Sequence, residues 1–345
     1  MIAPLTEATH RRTYTPRAGF SGVAEFDDFD AIRGVSPDWE MAHLQIGRGR
    51  SHARVSAAQT PEMFLAVVRR FPGILERGTP PPGTVTFSLS LRGSQFLGQG
   101  LPWGQDRVAF VPQGVEYEFL STGPSTLFTL CVRKERIDQV ALEHRGERYP
   151  ESGAGPCLRF RDGSVRDDIL GTWCRWLAGA RRNPGLVCDP GAAARMEEEV
   201  LRAVLEGTVP DRQGTPLRPY RELALRVESY IRRSLEEQIT VEDICAATRA
   251  SPRSVHASFQ KIFGMPPKSY WKALRLAKAR QDLLGATRRM TVSEVASKWN
   301  FNRFGYFAID YREVFGENPS DTLHRSLGRR AAPGPTGGGV SGAAG

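Results

Sequence analysis

"SVHASFQKIFGMPP" (254–267) returns in outline as "GYFAIDYREVFGENP" (305–319). Phe259, Phe263, Gly264 and Pro267 have counterparts in Tyr311, Phe315, Gly316 and Pro319, at a constant offset of 52 residues. In both copies apolar residues recur at helical spacing, and the run stops at a glycine. Glycine takes the left-handed conformation that ends many helices without steric cost. A short helix ending written twice is the pattern that decides the fold.

Each copy is preceded by a second helix signal. Thr240 followed by Asp243, and Thr291 followed by Glu294, place a hydroxyl and a carboxylate three residues apart, where each satisfies a free backbone N–H at a helix start. Val241, Ile244 and Cys245 supply the apolar face of the first helix, and Val295, Ala296 and Trp299 that of its counterpart. Ser251-Pro252 is a start signal for the next helix, with proline at the first helical position. Val255, Phe259, Ile262 and Phe263 form its buried stripe. In the second copy Asn302 is the expected cap, and Phe307, Tyr311, Val314 and Phe315 the stripe. The offset is 51 in the first helix of each pair and 52 in the second, so one residue is inserted between them. Residues 268–284 read as one connecting helix, roughly 25 Å long at 1.5 Å per residue. The pattern is two helix-turn-helix units on a spacer. Such a unit presents its second helix to the major groove, and successive groove segments recur about every 34 Å.

Upstream, residues 207–219 are rich in Gly and Pro and read as a linker. The stretch after Leu327, rich in Gly, Ala and Pro, reads as a disordered tail. Between about Trp39 and Lys134 short apolar stretches alternate with Gly and Pro, the signature of antiparallel strands. In "TVTFSLSL" (84–91), Val85, Phe87, Leu89 and Leu91 share one face. Ile169, Trp173, Trp176 and Leu177, then Met196, Val200 and Val204, follow a helical period instead. Those stripes serve either the core or a seam with a twin subunit.

The chain has 345 residues, 40% hydrophobic and 25% charged, ordinary for a globular protein of two domains. Neither a membrane-length apolar run nor a secretory leader is legible, which predicts a cytoplasmic location without a membrane partner. The five cysteines are widely spaced, so neither a zinc site nor a redox pair is indicated. Of the net charge of +9, residues 220–327 carry +6, with 18 Lys and Arg against 12 Asp and Glu. The C-terminal segment therefore suits a polyanionic partner.

The stretches "ASPRSVHASFQKIFGMPPKSYWKALRLAKARQDLL" and "VSEVASKWNFNRFGYFAIDYREVFGENPSDTL" resemble, in order, the two DNA-binding signatures of the AraC/XylS transcriptional regulators. The likeness covers about Ala224 to Leu327. More loosely, "GSQFLGQGLPWGQDRVAFVPQGVEYEFLS" is similar in layout to the branch containing ethanolamine-utilisation regulators. The expected class is α+β. A β-rich, barrel-like (cupin-like) sensor and dimerisation domain spans 1–206, with strands over about 39–134 and helices over about 166–206. An all-α domain with two helix-turn-helix units joined by a long helix spans 220–327, after the linker 207–219 and before the tail 328–345. In the second turn, Asn300 stands where the family usually has Gly, and the corresponding place in the first is Arg249. Asn tolerates positive φ, whereas Arg does so at greater cost.

The resemblance implies that the start of each second helix faces DNA. In the first unit the candidates are Arg253, Ser254, His256 and Ala257, with Arg253 suited to guanine O6/N7 and His256 to a purine N7 or a phosphate. Lys261 is a candidate backbone contact, as are Arg275 and Lys278 on the connecting helix. The second unit offers Asn302, Arg303, Phe304 and Tyr306, then Arg312. Asn302, Arg303 and Arg312 are suited to phosphates, and Phe304 either meets a thymine methyl or packs inward.

The function so indicated is a sequence-specific regulator of transcription that binds double-stranded DNA as a homodimer. A small-molecule effector, with residues unassigned, would act on the N-terminal domain, and RNA polymerase is a candidate further partner. No cofactor or metal is called for. The rival readings are an effector-independent architectural DNA-binding protein and a barrel enzyme fused to a DNA-binding domain. For the latter, His43 and His52 are the only histidines among the strands and form no close ligand pair, and no phosphate loop or nucleophile elbow is present.

Overall fold

A computed structural model describes residues 19–29, 32, 39–91, 96–98, 101–102, 106–149, 157–211, 218–286 and 290–331. The N-terminal part opens with strands β1 (Phe20–Phe26), β2 (Glu40–Gln45), β3 (His52–Gln59), β4 (Met63–Phe71), β5 (Ile74–Thr79) and β6 (Thr84–Ser90). Then come β7 (Phe96–Gly98), β8 (Leu101–Pro102), β9 (Arg107–Val111), β10 (Tyr117–Ser121) and β11 (Ser125–Arg133). Helix α1 (Lys134–Arg145), strand β12 (Cys157–Phe160), helices α2 (Val165–Arg182), α3 (Gly185–Cys188) and α4 (Pro190–Gly207), and strand β13 (Thr208–Pro210) complete it. The C-terminal part is helical: α5 (Arg218–Arg233), α6 (Val241–Thr248), α7 (Pro252–Phe263), α8 (Pro267–Leu284), α9 (Val292–Lys298), α10 (Phe304–Phe315) and α11 (Pro319–Ala331).

The strands form two antiparallel sheets, one of eight strands in the order β1-β3-β4-β11-β6-β9-β12-β13 and one of five in the order β2-β5-β10-β7-β8. Alternation along each strand sends neighbouring residues to opposite faces, and in β6 both faces are covered. In β6, Val85, Phe87 and Leu89 join a core with Trp173, Met196 and Val200 of the helices. The intervening Thr84, Thr86 and Ser88 are also buried, on the face shared with Cys131 between the sheets. A second cluster, including Phe29, Val55, Phe64, Ile74, Phe119 and Leu127, fills the space between the two sheets.

The outer face of the five-stranded sheet is not solvent-facing either. Leu44, Leu75 and Leu120, one from each of β2, β5 and β10, belong to the core of the C-terminal helices. The helical part is therefore seated on the strand-rich part, and its hydrophobic core is completed by it.

Several expectations are corrected by this packing. Thr208–Pro210, read as linker, pairs with β12 and ends the eight-stranded sheet. Residues 212–217 of that segment lie outside the described residues, as do residues 332–345 of the expected tail; its first residues, 328–331, read as disordered, continue α11. A strand (β1) precedes the expected start at Trp39, and α1 lies outside the expected helical range. Of the two open readings of the apolar stripes, the core is served: Ile169, Trp173, Leu177, Met196, Val200 and Val204 are buried in one cluster with the eight-stranded sheet of the same chain, with Trp176 half-buried beside them. Among the described residues no helix is long and apolar enough to cross a membrane.

Candidate nucleic-acid interface

The two helix pairs are built by the same local hydrogen bonds. Thr240 Oγ1 accepts the Asp243 N–H at 3.1 Å, while the Asp243 carboxylate accepts the Thr240 N–H at 2.8 Å. Thr291 and Glu294 repeat this at 3.2 and 2.8 Å. These bonds favour the charged carboxylates and hold both pKa values below the usual range. Each first helix ends through a left-handed residue, Arg249 at φ 52° and Asn300 at φ 57°. The N–H of the residue after each left-handed one then reaches back: Ala250 donates to the Cys245 carbonyl at 3.2 Å and Phe301 to that of Ala296 at 2.9 Å. The turns thus share one geometry, although an arginine in that conformation costs about 1 kcal/mol. The second turn is also tied to the chain before α6, where Asn300 Nδ2 donates to the Glu236 carbonyl and Gln238 Nε2 to that of Asn300.

The inserted residue changes how the second helix of the pair begins. Ser251 caps α7 by accepting the Ser254 N–H at 3.2 Å, with Pro252 at the first position. In α10 the cap position is Arg303, with no side-chain cap bond, so Asn302 does not cap. Inside, Val255, Phe259, Ile262 and Phe263 are buried in α7, and Phe307, Tyr311 and Phe315 in α10. Val314, expected in the α10 stripe, is only half-buried. Aromatic rings meet in both units: Phe259 and Phe263 lie 4.4 Å apart, and Tyr311 and Phe315 4.6 Å. Each pair lies within one helix, and in α7 both rings also meet Tyr270 of α8, at 5.2 and 5.1 Å, so the apolar area they bury seats α7 in the helical core.

With the stripe fixed inward, the opposite face is exposed. Arg253, Ser254 and His256 are exposed at the start of α7, and Ala257 is half-buried. Arg253 makes no ion pair among the described residues, whereas the Ser254 hydroxyl is engaged with that of Ser251 at 2.9 Å. Lys261 is exposed, and its ammonium sits 3.8 Å from the Tyr220 ring centroid. On α10, Phe304, Tyr306 and Ile309 are 49%, 64% and 57% exposed, an apolar patch flanked by the exposed Asn302, Arg303 and Arg312. Phe304 therefore does not pack inward. Ile309 is exposed because it lies half a turn from the Phe307–Tyr311 stripe.

One expected contact is corrected. Arg275 is only 4% exposed. Its guanidinium lies 4.2 Å from the Trp271 ring centroid and 4.6 Å from that of Phe301, and its Nε donates to the Trp299 carbonyl. Burial pushes its pKa down to about 10. A guanidinium so enclosed clamps the connecting helix α8 to the second unit and cannot reach a DNA backbone. Lys278, by contrast, is half-buried with Nζ 3.3 Å from Gln281 Oε1.

The strand-rich part grips the back of these units. Arg77 of β5 donates to Glu118 of β10 at 2.6 Å and to Glu228 of α5 at 2.7 Å. Glu228 also accepts from Arg232 at 2.8 Å and from the Tyr270 hydroxyl. At the end of α10, the Gly49 N–H donates to the Glu313 carbonyl at 3.1 Å, and Gln45 donates to that of Val314. Gly316 takes φ 69°, and an added Cβ there would lie 2.8 Å from the Arg50 nitrogen, so only glycine both ends α10 and admits that approach. Docking at these points leaves the outward faces of α7 and α10 uncovered.

Comparison with known proteins agrees with this construction. Residues 244–325 match a helix-turn-helix domain family. The C-terminal part is 35% identical over 101 residues to the XylDLEGF operon transcriptional activator of Pseudomonas putida, covering 29% of this chain and 32% of that protein. It is 35% identical over 95 residues to the probable thc operon regulatory protein of Rhodococcus erythropolis, covering 27% and 29%. The chain thus spans less than a third of the length of either regulator. A solved structure of a probable AraC family transcriptional regulator from Rhodopseudomonas palustris is 38% identical, with 31% of this chain and 98% of that one covered and a TM-score of 0.29. Through its C-terminal helices the chain belongs to the AraC/XylS family of transcriptional regulators, a non-enzyme family.

Proposed function

We propose that this protein is a sequence-specific regulator of transcription that binds double-stranded DNA through α7 and α10 and senses a small molecule in its strand-rich part. The observation that carries the reading is the duplicated helix pair, each copy opened by the same kind of capping box, whose outward faces keep exposed cations and exposed apolar groups after the rest of the chain has packed. Arg253 and His256 would read base edges, with Ser254 and Ala257 beside them. Arg303, Arg312 and Asn302 would hold phosphates around Phe304 and Tyr306, with Lys261 and Lys278 as outer backbone contacts. DNA contact falls in this division to residues 218–331 and sensing to the region before Asp211.

Support for sensing comes from a polar cluster between the sheets. Glu76 accepts from Arg70 at 2.5 Å and from the Tyr117 hydroxyl at 2.8 Å, and lies 3.2 Å from His43 Nε2. Arg70 is 5% exposed, and its Nε and Nη1 have no partner among the described residues. Buried donors without acceptors are uncommon and suit a ligand that brings one. The cluster stands back to back with the seam. His43, Glu76 and Tyr117 point inward, while the next residues in their strands, Leu44, Arg77 and Glu118, point to the helices. A ligand that moved β5 or β10 would change the seating of the DNA-binding helices, provided it favours one arrangement.

The test is selection of bound duplexes from a random-sequence pool by the full chain, then titration of the recovered site at several salt concentrations. The expected result is one enriched motif whose affinity falls linearly in log–log form with salt. Recovery of no motif above non-specific binding refutes sequence specificity. A metabolite panel that changes neither site affinity nor unfolding temperature favours the effector-independent alternative.

A further inference from the structure

Away from both helix pairs, the outer face of the eight-stranded sheet carries a cavity of about 230 Å³, lined by Val23, Arg54, Ser56, Val67, Arg69 and Arg181. The register explains its shape. Val23, Ser56 and Val67 are direct partners across β1, β3 and β4 and form a largely apolar floor. In the next row Glu25, Arg54 and Arg69 are direct partners, so two arginines stand opposite each other on adjacent strands. Like charges at directly opposite positions destabilise a sheet. Arg181, in the last turn of α2, brings a third guanidinium to the same opening. Among the described residues Arg54 pairs with Glu25 at 3.6 Å, whereas Arg69 and Arg181 make no ion pair. All three are exposed at the rim.

We propose that this groove binds the phosphate of a small organic phosphate monoester, with its apolar body over Val23 and Val67. Three arginines lining one opening can match the three terminal oxygens of a phosphate, each with a forked pair of donors. A dianion would also relieve the repulsion between Arg54 and Arg69. A carboxylate has only two acceptor oxygens and would leave one arginine unmatched. This site is separate from the Arg70–Glu76 cluster, which faces the opposite side of the same sheet, and its failure would leave the proposed DNA-binding function untouched.

The experiment is calorimetric titration of the full-length protein, without DNA and at constant ionic strength, with inorganic phosphate, phenyl phosphate and 3-phenylpropionate. The variants are Arg69→Gln and Arg181→Gln, both exposed substitutions, with Arg195→Gln on α4 as control. Phenyl phosphate is expected to bind saturably and more tightly than either other probe. Its affinity should fall about tenfold or more in Arg69→Gln and Arg181→Gln, the effect of one lost charge-assisted bond, and stay unchanged in Arg195→Gln. No saturable binding, equal binding of the carboxylate, or equal affinity in all three variants overturns the proposal. A parallel loss of duplex affinity in Arg69→Gln and Arg181→Gln would reassign the arginines to a nucleic-acid backbone and overturn it as well.

Discussion

Replacing Arg77 by methionine tests whether the seam between sheet and helices is held by charge. Methionine keeps an apolar stem and removes the guanidinium, which also lies 5.9 Å from the Phe263 ring centroid. The side chains of Glu118 and Glu228 are 12% and 4% exposed, so both carboxylates would be left in a dry contact. Removing one partner of a buried ion pair typically destabilises by about 3–5 kcal/mol. Two features place the effect near the lower end, about 3 kcal/mol. Glu228 keeps Arg232 and Tyr270, and burial already raises the Glu118 pKa, so Glu118 escapes by taking up a proton. Burial acts on Glu228 in the same sense, but there Arg77 and Arg232 outweigh it and hold the carboxyl below its ordinary range. The sign of the pH effect follows. A carboxylate whose folded pKa is raised destabilises while ionised and recovers as pH falls through that pKa, so the Arg77→Met deficit should shrink in mild acid. Urea unfolding of the full chain, followed by tryptophan fluorescence at pH 7 and pH 5, gives both numbers. A double-mutant cycle with Glu118→Gln should be strongly non-additive. A loss below about 1 kcal/mol at pH 7, or additivity with Glu118→Gln, would show that the seam is held by Leu44, Leu75 and Leu120 alone.

The other expectations concern DNA, the clamp and acid. Arg253→Ala should weaken the selected site by about 1–3 kcal/mol and relax preference at one base pair, while Arg312→Ala weakens all sequences alike and lowers the salt slope by about one; the reverse pattern on a panel of single-base variants means the helix roles are exchanged. Arg275→Ala should leave the salt slope unchanged and lower stability by about 1–3 kcal/mol, because the Trp299 carbonyl loses its donor in a closed site; a lowered slope with unchanged stability would restore Arg275 to the DNA contacts. Burial raises the Glu76 carboxyl, but Arg70, His43 and Tyr117 outweigh it and bring it to about 2 from 4.5. Its ionisation therefore stabilises fully above pH 4.5 and is lost as pH falls towards 2, so the acid limb of unfolding should be shallower in Glu76→Gln; an identical limb in both proteins removes the cluster from the acid response.

The sequence by itself determined the C-terminal helices, because each signal there is local. Capping boxes span three residues, stripes repeat every three or four, and the left-handed turns lie at the last turn of their own helix. Thr240 with Asp243, Phe259 with Phe263, and Gly264 make sense within one short helix and its ends, so they could be read before any contact was known. Arg249 shows the margin of that legibility: only the tertiary structure decided that an arginine takes positive φ. The same structure turned Arg275 from a phosphate contact into a clamp, since the aromatic rings enclosing it come from Trp271, one turn away, and Phe301, in another helix pair. Thr208–Pro210 became a strand because β12, some fifty residues earlier, offered an unpaired edge. The seam was illegible for the same reason: Arg77 and Glu228 are 151 residues apart in the chain. Period and capping reveal which face of an element is apolar. What covers that face depends on contacts between distant segments, and β6, buried on both sides, carries polar threonines where a one-sided strand would show them to water.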